Sequence, residues 1–151
     1  MGRITKGFLA AAAATAVLSA LMIMKSMMGL MPALDLPKMI AGMMGAPDKP
    51  IVGWAVHLMI GVVGYGLVMA LTDGRLPGRS RVFHGVLIGF VGWLVMMVML
   101  MPMAGAGLFG MAMGMMAPLM TLMLHLVFGA ALGWTYARLL RDDRHPATAR
   151  A

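Results

Sequence analysis

The sequence predicts an all-α protein, a four-helix transmembrane bundle built from two parallel two-helix hairpin repeats, and three observations carry that prediction. Charge-free runs have the lengths of membrane spans, basic residues collect on alternate connections, and the two halves of the chain share landmarks in one order. Composition sets the frame. Of 151 residues, 62% are hydrophobic and 11% charged, against about 25% charged in an ordinary soluble domain. Too few polar residues remain to cover a water-facing globule. A mean hydropathy of +0.91 and the absence of cysteine exclude a disordered tail and a disulfide scaffold.

The first helix is expected over 7–31, interrupted only by Lys25, whose apolar stem lets the ammonium snorkel toward the outer interface. A cleaved signal peptide ending near Ser19 and Ala20 is the rival reading, and it would leave three spans. In the connection 32–50, Pro32, Pro37, Pro47 and Pro50 confine any interfacial helix to about 37–44. The second span is expected over 51–71. Arg81 and Arg138 then bracket 56 residues without Asp, Glu, Lys or Arg, which as one helix would run about 84 Å and overshoot a bilayer core. That stretch therefore crosses twice, at 83–102 and 118–139. It breaks between Pro102 and Pro118, where four glycines intervene.

Orientation follows from the basic flanks. Arg3 and Lys6, then Arg75, Arg79 and Arg81, then Arg138, Arg141, Arg144 and Arg150 assign both termini and the central connection to the cytoplasm of a bacterial inner membrane. With Asp73 counted in the second segment and Asp142 and Asp143 in the third, each contributes +2 to the formal +7, and Lys25 supplies the rest. The charge is thus a set of membrane flanks, and no nucleic-acid partner is expected.

The whole chain, 1–151, reads as one membrane domain with repeat one at 1–74 and repeat two at 75–151. Leu30-Met31-Pro32 matches Leu100-Met101-Pro102. The segment Gly42 to Pro47 matches Gly114 to Pro118, and His57-Leu58 with Gly61 matches His125-Leu126 with Gly129. Each half is a hairpin that begins and ends on one side, so the symmetry axis would run along the membrane normal.

The runs MPMAGAGLFG (101–110), MAPLMTLMLHLVFGAALGW (116–134) and MKSMMGLMPALDLPKMIAGMMG (24–45) resemble the small uncharacterised bacterial inner-membrane proteins grouped as a domain of unknown function, similar in build to YagU-like proteins. The resemblance covers about 5–140. It implies a four-span bacterial membrane protein and brings no catalytic or binding residue with it.

Gly53, His57, Gly61 and Tyr65 recur every four residues, as do Thr121, His125, Gly129, Gly133 and Ala137. Residues at that spacing share a helix face, and small ones let helices approach closely in lipid. Gly53, Gly61, Gly129 and Gly133 are accordingly helix-packing residues. Gly64, Gly66, Gly85, Gly89 and Gly92 carry the same expectation. Trp54 and Tyr136 are expected as interface anchors, Trp93 and Trp134 as packing residues.

His57 and His125 point into the helix contact, and three readings compete. They hydrogen-bond across helices, they ligate a metal ion together, or they are axial ligands of a haem b with Gly61 and Gly129 leaving room for the porphyrin. His84 and His145 have no partner in any of these readings. Of 22 methionines, nearly all fall toward the outer side. Thioethers are soft donors that suit copper(I), and Met24 with Met28 and Met120 with Met123 have the spacing to chelate. Methionine is equally a flexible packing residue. No catalytic residue is assigned, because the spans hold no Asp or Glu and their serines have no acid nearby.

Three functions follow in order. The first is a non-enzymatic structural or accessory inner-membrane component without a cofactor, whose partners beyond the lipid bilayer are itself or a larger complex. The second is a small copper(I)- or haem-binding membrane protein. The third is a channel or transporter for a small neutral solute.

Overall fold

The computed structural model describes residues 2–75 and 80–142. Arg79, Arg144, His145 and Arg150 lie outside the described residues. Among those described, all regular structure is helical, and four helices are long and apolar enough to cross a membrane. They are α1 (Arg3–Met27), α3 (Pro50–Thr72), α4 (Arg81–Met103) and α5 (Met116–Asp142). The short α2 (Leu36–Met43) and a 3₁₀ segment (Leu108–Met113) connect them at one end. That end is the loop end. The opposite, basic end carries Arg3, Arg75, Arg81, Arg138 and Arg141.

Glycine decides where the helices stop. α1 ends at Met27, four residues before the expected end at 31. Gly29 adopts φ +67°, Leu30 N–H donates to the Lys25 carbonyl at 3.1 Å, and Gly29 N–H donates to Ser26 at 3.0 Å. This is a Schellman cap, which satisfies orphan carbonyls at the cost of a left-handed residue that glycine adopts freely. Gly45 closes α2 and Gly105 closes α4 with the same pair of bonds.

The matched tripeptides of the two halves therefore differ. Leu100-Met101-Pro102 continues a helix, whereas Leu30-Met31-Pro32 is loop, with Met31 at φ +49°. α4 carries Pro102 because its preceding turn, Met96–Leu100, widens to π-helical pitch. A proline removes one ladder bond and crowds the carbonyl four residues back, and a wider turn accommodates both. α3 widens in the same way over Ile60–Gly64, a turn rich in glycine and valine.

The packing does not confirm the expected two-hairpin repeat. α1 packs on α3 and α5, and α5 packs on α4. α3 meets α4 chiefly through its Tyr65–Thr72 half. Glycine makes the close approaches of α1 to α3, α2 to α3 and α4 to α5 possible, whereas α1 meets α5 through alanines. A methyl group at Gly133 would lie 2.2 Å from the Arg81 carbonyl oxygen, and one at Gly129 would lie 2.4 Å from that of Gly85. At Gly61 it would meet the Thr15 hydroxyl at 2.5 Å, and at Gly53 it would overlap the Pro37 carbonyl. Gly66, Gly85, Gly89 and Gly92 are filled similarly, whereas Gly64 faces outward, with only the Ile60 side chain 3.9 Å away.

One core, at mid-bundle and toward the basic end, joins Ala10, Ala11, Ala14 and Leu18 to Met69, Ile88, Phe128, Leu132 and Tyr136. A second, at the loop end, is built from Leu34, Met96, Met97, Met101 and Ala106, with Met31, Met39, Met113 and Met120 against it. Much of the methionine enrichment is thus an irregular core filled by a flexible side chain. The outer surface is apolar, with Met27, Ile51, Met103 and Met123 among its exposed residues.

Two aromatic expectations are corrected. Tyr136 is fully buried, because its ring lies on the inward face of α5 and its hydroxyl reaches Asp73. Trp134 is exposed, and the Arg138 guanidinium stacks over it 4.9 Å from the ring centre, a contact that suits an interface anchor. Trp93 is a packing residue, set between Phe90 and Phe109.

Candidate functional site

The site is built from inward-facing stripes. On α1, Ala10, Ala14, Leu18 and Met22 recur every four residues and face the bundle, and Lys25 and Ser26 follow one turn later. On α5, Thr121, Leu124 and His125 share a face, and α4 contributes Met96 and Met101. These residues, roofed by α2 and flanked by Trp54 of α3, enclose a loop-end cavity of about 310 Å³.

The roof is held in place by its own capping. The Lys38 backbone N–H donates to Asp35 Oδ1 at 3.2 Å, and the Lys38 ammonium pairs with Asp35 Oδ2 at 3.2 Å. Pro37 in the first turn presses its carbonyl into the space left by Gly53. Lys25 donates from Nζ to the Met31 carbonyl at 3.2 Å and to that of Leu34. The expected snorkelling lysine therefore ties the end of α1 to the loop above it. Two cations and one carboxylate border the cavity mouth.

At the floor, polar groups are fixed by short hydrogen bonds. Thr121 Oγ1 donates to the Ala117 carbonyl at 2.8 Å and accepts from Trp93 Nε1–H at 3.2 Å, joining α5 to α4. His125 Nδ1–H donates to the Thr121 carbonyl at 2.8 Å. That bond sets the tautomer, leaving Nε2 as a bare acceptor. His57 is buried on α3, 3.3 Å from Ser19 Oγ of α1 through Nε2 and edge-on to Trp54. The two imidazoles are engaged differently, one to a neighbouring helix and one to its own.

The structure sorts the methionines named from sequence. Met24, Met28 and Met123 are exposed on the outside of the bundle, and Met120 packs in the loop-end core. Met22 and Met96 line the cavity instead. Their signal was the inward stripe of their own helices and not spacing between methionines. The space beside Gly61 is filled by Thr15 and that beside Gly129 by the α4 backbone, so these glycines leave no porphyrin face. Among the described residues, no three His, Cys, Asp or Glu side chains are grouped to hold a metal ion.

A second polar cluster, unforeseen in the sequence, closes the basic end. Asp73, its side chain 6% exposed, accepts from Arg81 Nε at 3.2 Å and from the Tyr136 hydroxyl at 3.4 Å. His84, on the same face of α4 as Arg81 and Ile88, is buried, with no hydrogen bond to either ring nitrogen among the described residues. Lys6 is buried at this end as well.

Residues 1–147 match the model of a family of unknown function, DUF6789. No curated protein and no solved structure matches the chain.

Proposed function

We propose, from the premise that the chain belongs to the DUF6789 family of unknown function, a non-enzymatic accessory or structural component of a bacterial inner membrane. Both termini lie in the cytoplasm in this reading, because the arginines collect at one end while Asp35 with Lys38 and Asp48 with Lys49 cancel at the other. The similarity in build to YagU-like proteins belongs to the same proposal.

The observation that carries it is the use made of the intramembrane polar groups. Ser19 with His57, and Trp93 with Thr121, join neighbouring helices, and His125 is held on its own helix. The two bonds between helices serve helix association, each worth about 0.6–2 kcal/mol. The glycine faces are filled within the chain, so pairing with a second copy or a larger complex would use the apolar outer surface. A reporter fused after Ala151 should be active only in the cytoplasm, and one inserted at Ala46 only in the periplasm; the reverse pattern would overturn the orientation.

A second reading, a copper(I)-binding membrane protein, is favoured by the cavity, which His125 and methionines line together. Metal analysis of the purified protein with and without added copper(I) separates the two readings. A protein that takes up none supports the accessory role alone.

A further inference from the structure

We propose that the loop-end cavity is a copper(I) site whose ligands are His125 Nε2 and the thioethers of Met22 and Met96. The inference deepens the copper reading and rests on it. Three helices supply the donors, Met22 from α1, Met96 from α4 and His125 from α5, and all three side chains line the same cavity, where an unbranched methionine with three rotatable bonds can adjust the position of its sulfur.

The chemistry of the wall is soft. One imidazole and two thioethers suit copper(I), whereas magnesium, calcium and manganese require oxygen donors. The cavity's one carboxylate, Asp35, is at the mouth and already paired with Lys38. The Thr121 carbonyl is the outer-shell partner that orients the His125 ring, an arrangement common to metal-bound histidines. His57 is excluded from the ligand set because its Nε2 faces Ser19. The site therefore contains one histidine, not the symmetric pair that the duplicated sequence suggests.

The test loads the full-length protein in detergent with copper(I) under reducing conditions, against a chromogenic copper(I) chelator, and counts bound metal. One copper per chain is expected, with X-ray absorption showing sulfur and a single imidazole in the first shell. His125→Gln, Met22→Leu and Met96→Leu should each weaken binding at least tenfold. His57→Gln and the exposed-residue triple Met24→Leu, Met28→Leu, Met123→Leu should leave it within twofold. Loss of binding in both H57Q and H125Q would replace this site with a two-histidine one and spare the copper reading. Retention in H125Q, with loss in the exposed triple, would place copper on the outer methionines and overturn the cavity site alone. Failure of the unaltered protein to take up copper(I) would end both. Unfolding temperature and elution profile, which leucine for methionine should barely change, separate lost ligands from lost fold.

Discussion

At the residue scale, the glycines show how much one hydrogen in place of a methyl group decides. Gly133→Ala would drive its new methyl into the Arg81 carbonyl and the Val82 Cα, both backbone atoms of α4 that cannot swing aside. It should destabilise the protein by about 1–3 kcal/mol, read as a lowered unfolding temperature in detergent. Gly64→Ala, whose methyl meets only open surroundings and the Ile60 side chain, should be neutral or stabilising by up to about 1 kcal/mol. Equal losses at both positions would refute the assigned faces. The glycine stripes were legible because four-residue spacing is enough to define a face. Tyr136 was not, because an amphipathic aromatic suits either an interface or a buried polar partner. The partner, Asp73, lies 63 residues away. Tyr136→Phe should cost about 0.5–1.5 kcal/mol and Asp73→Asn about 1.5–3, in the same unfolding assay. A larger loss from Tyr136→Phe than from Asp73→Asn would contradict the arrangement.

At the element scale, α2 is the part most easily loosened. It has eight residues, far fewer than an isolated helix needs, so it depends on its cap and on its contact with α3. Asp35→Ala removes both the capping acceptor and the Lys38 pair. It should cost α2 about 1 kcal/mol, seen as faster amide exchange over residues 36–43 with exchange in α5 unchanged. Uniform exchange across the chain would mean that α2 is not held by its cap. The confinement of this helix was readable from proline positions alone. The end of α1 was not, since Leu30-Met31-Pro32 matches a tripeptide that is helical in α4. What separates the two is the upstream chain. Gly29 stops one helix, and the wide turn at Met96–Leu100 carries the other past its proline.

At the scale of the whole molecule, the two hairpins do not pack as equivalent halves. α1 and α5 form the central contact, while α3 and α4 meet mainly toward the basic end. The π-helical turns lie in α3 and α4, which the expected repeat would not pair with each other. An extra residue in a turn rotates everything beyond it by about 100°. Beyond the turn in α3, Tyr65 leaves the Gly53, His57 and Gly61 stripe to pack on Phe128 at 4.8 Å and fill the space at Gly92. Because the chain has no cysteine, single-cysteine labelling reads its sides cleanly. Under the proposed orientation, Ala46→Cys should react with an impermeant maleimide in intact cells. Arg75→Cys should react only after permeabilisation, and labelling of Arg75→Cys from outside would reverse the assignment.

Composition and charge-free length by themselves determined four apolar helices, because lipid admits few arrangements of backbone polar groups and a span has a fixed length. The four-residue spacing likewise determined the packing face of Gly53, His57 and Gly61 and that of Thr121, Gly129 and Gly133, since helix periodicity is local until a wide turn interrupts it. Only the tertiary structure decided which helices meet, which methionines fill a core or line a cavity, and that His57 and His125 have different partners. Those outcomes depend on local turns and caps that rotate or end a helix, and on contacts between residues far apart in the chain. Matching landmarks in a sequence carry neither, and the packing of the bundle does not confirm the two-hairpin repeat expected from them.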